Sequence, residues 1–344
     1  MLMQAKPLIE HVSRIFMKMG SDADEAKLVA DSLVRANLMG HDSHGVGLVA
    51  TYIEHFKAGL LKPGTSSKLV KDDGAILMFD GCRGFGRRVG GEAMTAAVER
   101  CKDTGVVLLT LRNAHHLGRI GAYGEIIMGE GFISLNFANV TDHEPSVVPW
   151  GGTNSRFVTN PVCVAVPGTE KTPPTLLDMA TSKIAIGKAR VAMSKGVELE
   201  PGMVVDNSGK PTTDPSVMYR DPKGSLLPFG EHKGSGIALM CELLAGGLSG
   251  GGTIQPQNPR FGSIVNNLFT IVVDPVRLVD VEWLRAEIDA TIAYVKSTPS
   301  LLNERPVLVA GDAERLIEGS RSVLGIEIND EAWQEMESAA ARLN

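Results

Sequence analysis

The hydrophobic period changes once along the chain, at Lys62-Pro63-Gly64, and that change decides the architecture open to it. Before it, Leu8, Ile9, Val12, Ile15, Phe16 and Met19 recur at helical spacing, and Gly20 can end that helix. Ser21 with Asp24 reads as the capping start of a second helix, which carries Leu28, Val29, Leu33 and Leu38 and stops at Gly40. A third runs from about Val46 to Lys57. After Pro63, two short apolar runs flank Asp72-Asp73-Gly74, a hairpin signal, so a sheet begins there. Helix and strand then alternate: Ala93 to Cys101 helical, Val106 to Leu111 strand, Ala122 to Met128 helical, Phe132 to Phe137 strand. Thr175 to Asp178 and Leu268 to Val273 read as further strands, and Lys183 to Met193, Trp283 to Val295 and Ala332 to Leu343 as helices. The expectation is an α/β protein with a small helical unit beside a sheet.

At 344 residues the chain can bury a large core as two domains, or as one with an appendage. With 43% hydrophobic and 22% charged residues it has the balance of a soluble α/β enzyme. The net charge of −6 and the lack of any Lys/Arg run argue against a nucleic-acid partner. No stretch reaches the length of a membrane span, and the start lacks the pattern of a signal peptide. Cys82, Cys101, Cys163 and Cys241 form no Cys-x-x-Cys pair, so reduced thiols in a cytoplasmic protein are expected.

Polar chemistry concentrates in a few places. His41-Asp42-Ser43-His44-Gly45 puts two imidazoles, a carboxylate and a hydroxyl at the corner between two helices, where a histidine suits proton transfer. The alternative is a helix cap with solvent-facing histidines. A second knot, Arg112 to Gly121, carries His115, His116 and Arg119 after a buried strand. Asp178, at a strand end, is either the cap of the helix after it or a functional carboxylate. His232-Lys233-Gly234 opens another helix.

Gly84, Gly86 and Gly90 are spaced one residue too long for the dinucleotide fingerprint, and the next strand runs into Arg112 rather than an acid. A glycine-rich turn leading into a sheet-packed helix accounts for that run. Neither a His-Glu-x-x-His helix nor a Cys/His cluster marks a metal site, and Ser43 lacks a nucleophile elbow. Spacing alone leaves redox chemistry and cofactor-free proton transfer, by an isomerase or lyase, both open.

Taken in order, His41 to Gly45, Asn113 to Gly121, Thr159-Asn160-Pro161, Asp178 to Ser182 and His232-Lys233-Gly234 resemble the type-2 malate/L-lactate dehydrogenase family over nearly the whole chain. The resemblance implies a non-Rossmann, mixed-sheet nucleotide-binding domain at 71–275. It also implies a separate helical domain from both chain ends, 1–70 with 276–344 returning to it, in a homodimer. It implies NAD as cofactor, with NADP as the alternative, and interconversion of 2-oxo and 2-hydroxy acids, broad and including arylpyruvates, with a malate/lactate-specific dehydrogenase as the alternative. Carried over by position, His44 resembles the proton donor, with His116 and Asp178 beside it. His44, Gly118, Arg119, Ile120, Leu176, Leu177, Asp178, Met179, Ala180 and His232 match positions near the cofactor, with Asn266 and Arg321 as further candidates. Many members carry an arginine four residues after the equivalent of His44. Here Leu48 stands there: either it faces the substrate, which points to apolar or aromatic tails, or it packs inside the third helix with Val49, Tyr52 and Ile53, and Arg119 or Arg156 is left to hold a carboxylate.

Overall fold

A computed structural model describes residues 1–301 and 306–343. Three helices come first, α1 (Ala5–Lys18), α2 (Ala23–Leu38) and α3 (Val49–Lys57). The cap of α2 is Asp22, whose carboxylate accepts from the Glu25 amide, one residue later than the sequence pattern suggests. Ser21 instead donates its hydroxyl to the Glu25 carboxylate. Between α2 and α3 the His41 motif forms a single 3-10 turn, Asp42–His44, and a second turn, Val46–Leu48, leads into α3.

The main sheet has seven strands: β1 (Lys68–Asp73), β2 (Ile76–Asp80), β3 (Val106–His115), β4 (Ile133–Thr141), β5 (Val162–Val166), β6 (Thr175–Met179) and β7 (Val265–Val273). Their order is β1-β2-β3-β7-β4-β5-β6, and β2–β3 is the one parallel pair. A doubly wound dinucleotide fold rests on parallel neighbours, and this sheet does not. The crossover from β2 to β3 is α4 (Gly86–Thr104), followed after β3 by α5 (Gly121–Gly129). Both pack on the sheet in one apolar core with Val89, Met94, Leu109, Leu111, Tyr123 and Ile127.

The glycine run is thus the start of a helix. A Cβ at Gly86 would stand 2.3 Å from the carbonyl oxygens of His115 and His116, and one at Gly90 would meet the Tyr123 ring at 2.4 Å. These glycines let α4 lie on the end of β3. That strand is itself longer than its apolar run, because Arg112 to His115 continue the ladder opposite β7.

The remaining helices are α6 (Ile186–Ser194), α7 (His232–Cys241), α8 (Val281–Lys296), α9 (Asp312–Leu324) and α10 (Asp330–Ala340). The Pro- and Gly-rich excursion from 197 to 228 holds only three two-residue strands and a 3-10 turn. A second apolar core joins Phe16, Val34, Val49 and Ile53 to Ile326, Ile328, Met336 and Leu343 near the other chain end. By contrast, α8 buries none of its residues, and its Asp289 accepts from Thr169 and Thr172 beside the sheet. Among the described residues no helix is long and apolar enough to cross a membrane, and no group of three or more His, Cys, Asp or Glu could hold a metal ion.

Candidate active site

Between the two cores lies a cleft of about 620 Å³. Its walls come from the His41–His44 turn, from Gly118, Arg119 and Ile120, and from Asp178, Met179 and Ala180. Lys183, Gly187 and Lys188 of the α6 region, with Glu314 and Ile317 of α9, complete it. The walls touch where Gly187 meets the motif, since a Cβ there would stand 2.7 Å from that of Ser43.

The turn is fixed by a polar clasp. Asn37 donates to Asp42 at 2.7 Å and accepts from the Val46 amide at 2.9 Å. Arg321 of α9 grips both oxygens of Asp42, at 2.7 and 3.0 Å, and donates to the Asn37 carbonyl. With its backbone held from both sides, the turn presents His44 with Ser43 Oγ 3.0 Å from Nδ1. Burial, then the neighbouring charges of His41 and Arg119, lower the His44 pKa to about 4.

His116 stacks on His44 with ring centroids 5.5 Å apart, and its Nδ1 lies 2.7 Å from the Tyr52 hydroxyl. Burial and the adjacent His44 lower its pKa to about 3. Behind it, His115 Nε2 and His55 Nδ1 are 2.8 Å apart. Tyr52 and His55 lie on the third helical pattern, where their spacing looks like core packing, so nothing in the sequence singled them out.

Asp178 does not cap the helix that follows it in the chain. Its Oδ2 accepts from the Gly121 amide at 2.7 Å, holding the start of α5, with Arg119 Nη1 at 3.8 Å. Burial raises its pKa, opposed by the Arg119 charge and the Gly121 hydrogen bond. Arg119 is tied more closely to Glu125, at 2.6 Å. Two buried polar atoms of the cleft region, His41 Nε2 and Arg119 Nη1, have no hydrogen-bond partner among the described residues.

Several residues singled out in the sequence stand elsewhere. Arg156 lines a separate cavity with Phe157, Leu239 and Leu243. Leu176 faces a third cavity, Leu177 is exposed, and His232 lies exposed at the start of α7. Asn266 is buried, accepting from the Leu117 amide and donating to the Asn139 carbonyl. Leu48 packs partly buried against the helical core and is not part of the cleft lining.

A mixed sheet, a helical core and a cleft lined by the imidazole of His44 define an α/β protein with a polar cleft. The family model for malate/L-lactate dehydrogenase matches residues 3–337, and the chain belongs to that family. It is similar to the L-lactate dehydrogenase of Cupriavidus necator, 42% identical over 94% of this chain and 92% of that protein. It is also similar to hydroxycarboxylate dehydrogenase B of Escherichia coli K12, 41% identical over 98% of this chain and 93% of that one. A solved structure of an E. coli putative malate/lactate dehydrogenase superposes with a TM-score of 0.95 at 40% identity, covering 100% of this chain and 96% of that chain.

Proposed function

We propose that this protein is a 2-hydroxycarboxylate dehydrogenase that moves hydride between NAD, or alternatively NADP, and small 2-oxo and 2-hydroxy acids. The observation that carries the reading is His44, held in the cleft wall as a neutral imidazole in a chain of this family. The cleft fits a dinucleotide. Gly118, Asp178 and Lys188 all line it, and Lys183 and Lys188 have no ion-pair partner among the described residues, which suits a diphosphate. Gly118, Arg119, Ile120, Asp178, Met179 and Ala180 would hold the rest, and the cofactor when bound supplies or accepts the hydride.

The chain's own residues handle the proton. In oxidation the neutral His44 takes the substrate hydroxyl proton. In reduction it must first be protonated, and a substrate carboxylate beside it opposes the depression of its pKa by adding a negative charge. His116 stacks on the same ring and keeps water from that side of it. Arg119 is the one of the two arginines considered for the carboxylate that borders the cleft.

The domain division at 70/71, with the chain returning from 276, and a cytoplasmic homodimer belong to the same reading. Exposed Leu239, Leu243 and Leu248 on α7 and its π-helical extension support a covered face. Neither nucleic acid nor membrane is proposed as a partner. The test is to add NADH or NADPH and then a panel of 2-oxo acids, following nicotinamide absorbance. Consumption of neither cofactor with any 2-oxo acid would leave the isomerase or lyase reading.

Breadth reaching arylpyruvates requires a substrate tail to reach Leu48, which packs against the helical core outside the cleft lining. If its surface faces the substrate, phenylpyruvate is favoured over oxaloacetate, a ring contributing on the order of 1 to 3 kcal/mol. Leu48→Arg then shifts kcat/KM toward oxaloacetate. Unchanged ratios in the folded variant assign Leu48 to the helical core alone.

A further inference from the structure

A second cavity, of about 590 Å³, opens at the C-terminal ends of β2 and β3, with Leu69 and Val70 in its wall, and shares no lining residue with the His44 cleft. Lys62, Lys68, Cys82, Arg83, Arg112 and Asn113 line it over Asp80. On a chain of net charge −6, four cations here face one carboxylate.

The backbone around it is unusually constrained. Six non-glycine residues among those described have positive φ; three of them, Cys82 (51°), Arg83 (60°) and Asn113 (54°), line this cavity, and a fourth, Asp142, pairs with Arg83. Such conformations cost free energy, persist only where the surroundings hold them, and gather at functional sites. Asp80 does much of the holding. It accepts from the Cys82 amide at 2.8 Å, from Asn113 Nδ2 at 3.1 Å and from Arg112 Nε at 3.0 Å.

The charge left over specifies the ligand. Arg112 is matched by Asp80, and Arg83 by Asp142 at 3.3 Å. Lys62 and Lys68 have no ion-pair partner among the described residues, and both exert a charge effect on the Cys82 thiol. The cavity therefore has two ammonium groups to spare, with guanidinium N–H groups and the Asn113 amide beside them. We propose that this cavity binds a small dianion, a phosphate monoester or a dicarboxylate, through Lys62 and Lys68 above the Asp80-braced floor.

Cys82 is a local reporter, because it is half-buried in this cavity while Cys101, Cys163 and Cys241 are buried elsewhere. The full-length protein is alkylated with iodoacetamide, and labelling of Cys82 is followed by peptide mass spectrometry. Inorganic phosphate and succinate are titrated in separate arms at constant ionic strength, with chloride as the monovalent control. The expected result is a saturable slowing of Cys82 labelling by threefold or more in at least one arm. Its midpoint should rise tenfold or more in K62Q/K68Q. The arm that saturates identifies phosphate or paired carboxylates as the recognised chemistry. Slowing that chloride reproduces, or a midpoint unchanged in K62Q/K68Q, overturns the proposal. If the thiol reacts too slowly to follow, calorimetric titration of both proteins with the same two anions decides. Equal affinities, or no heat in either arm, then overturn it.

Discussion

Burial favours the neutral imidazole of His44, and the base role proposed for it has a pH signature. An unperturbed imidazole changes charge near pH 6.5, whereas burial beside His41 and Arg119 brings this one to about 4. The kcat/KM for oxidation of a 2-hydroxy acid should therefore fall as pH drops through about 4, and stay level through 6.5. A pH profile with its acid limb near 6.5 would assign the proton to another group. His44→Gln should cut turnover about a hundredfold and leave cofactor affinity within a few fold, as steady-state kinetics and binding titration would show. Activity within tenfold of wild type would mean that His44 carries no proton. The same shifts affect stability. With folded pKa values of about 4 for His44 and about 3 for His116, the unfolded chain binds more protons below pH 6.5. Stability from these groups is present above 6.5 and is lost as pH falls from there through about 4 and about 3.

At the scale of elements, what the sequence revealed depended on how local each cause is. The first three helices are legible because their apolar period lies within the helices themselves, with a capping side chain, Asp22, only at α2. The start of α4 is not, since its glycines answer to the carbonyls of His115 and His116, about thirty residues on. Gly86→Ala should lower unfolding free energy by about 1–3 kcal/mol through overpacking, without selectively weakening NADH. Denaturant melts and NADH titration check this, and a large loss of NADH affinity in a folded variant would return the glycine run to the cofactor. β5 has no alternation to betray it, being five apolar residues between prolines. Asp178 was legible as a strand-end carboxylate, yet its partner, the Gly121 amide, is set by the packing of α5 on the sheet. α9 was not singled out in the sequence; its Leu316, Val323 and Leu324 stay exposed, while it contributes Glu314 and Ile317 to the cleft.

Across the whole molecule, the motif proposed to carry the chemistry, near the start of the chain, is fastened by a residue near its end. Arg321 binds both oxygens of Asp42 and the Asn37 carbonyl, and Ile317, one turn earlier, lies against Gly40. The Asp42 side chain is 43% exposed, so as an ion pair the contact contributes only about 0–1 kcal/mol to stability. Its effect should be on geometry. When the guanidinium is gone, Asn37 is the side chain left on Asp42, beside the backbone bonds from His41 to Ala36 and from His44 to His41, and His44 follows Asp42 by two residues. Arg321→Ala should lower kcat/KM about tenfold through misplacement of His44, with a melting temperature only a few degrees lower. Arg321→Lys should recover part of that loss, since one ammonium cannot reproduce the paired bonds to Asp42 together with the bond to Asn37. Steady-state kinetics alongside thermal melts separate the two effects. If Arg321→Ala keeps wild-type kcat/KM, Asn37 and the backbone bonds suffice to hold the turn, and the two chain ends meet there without consequence for the reaction.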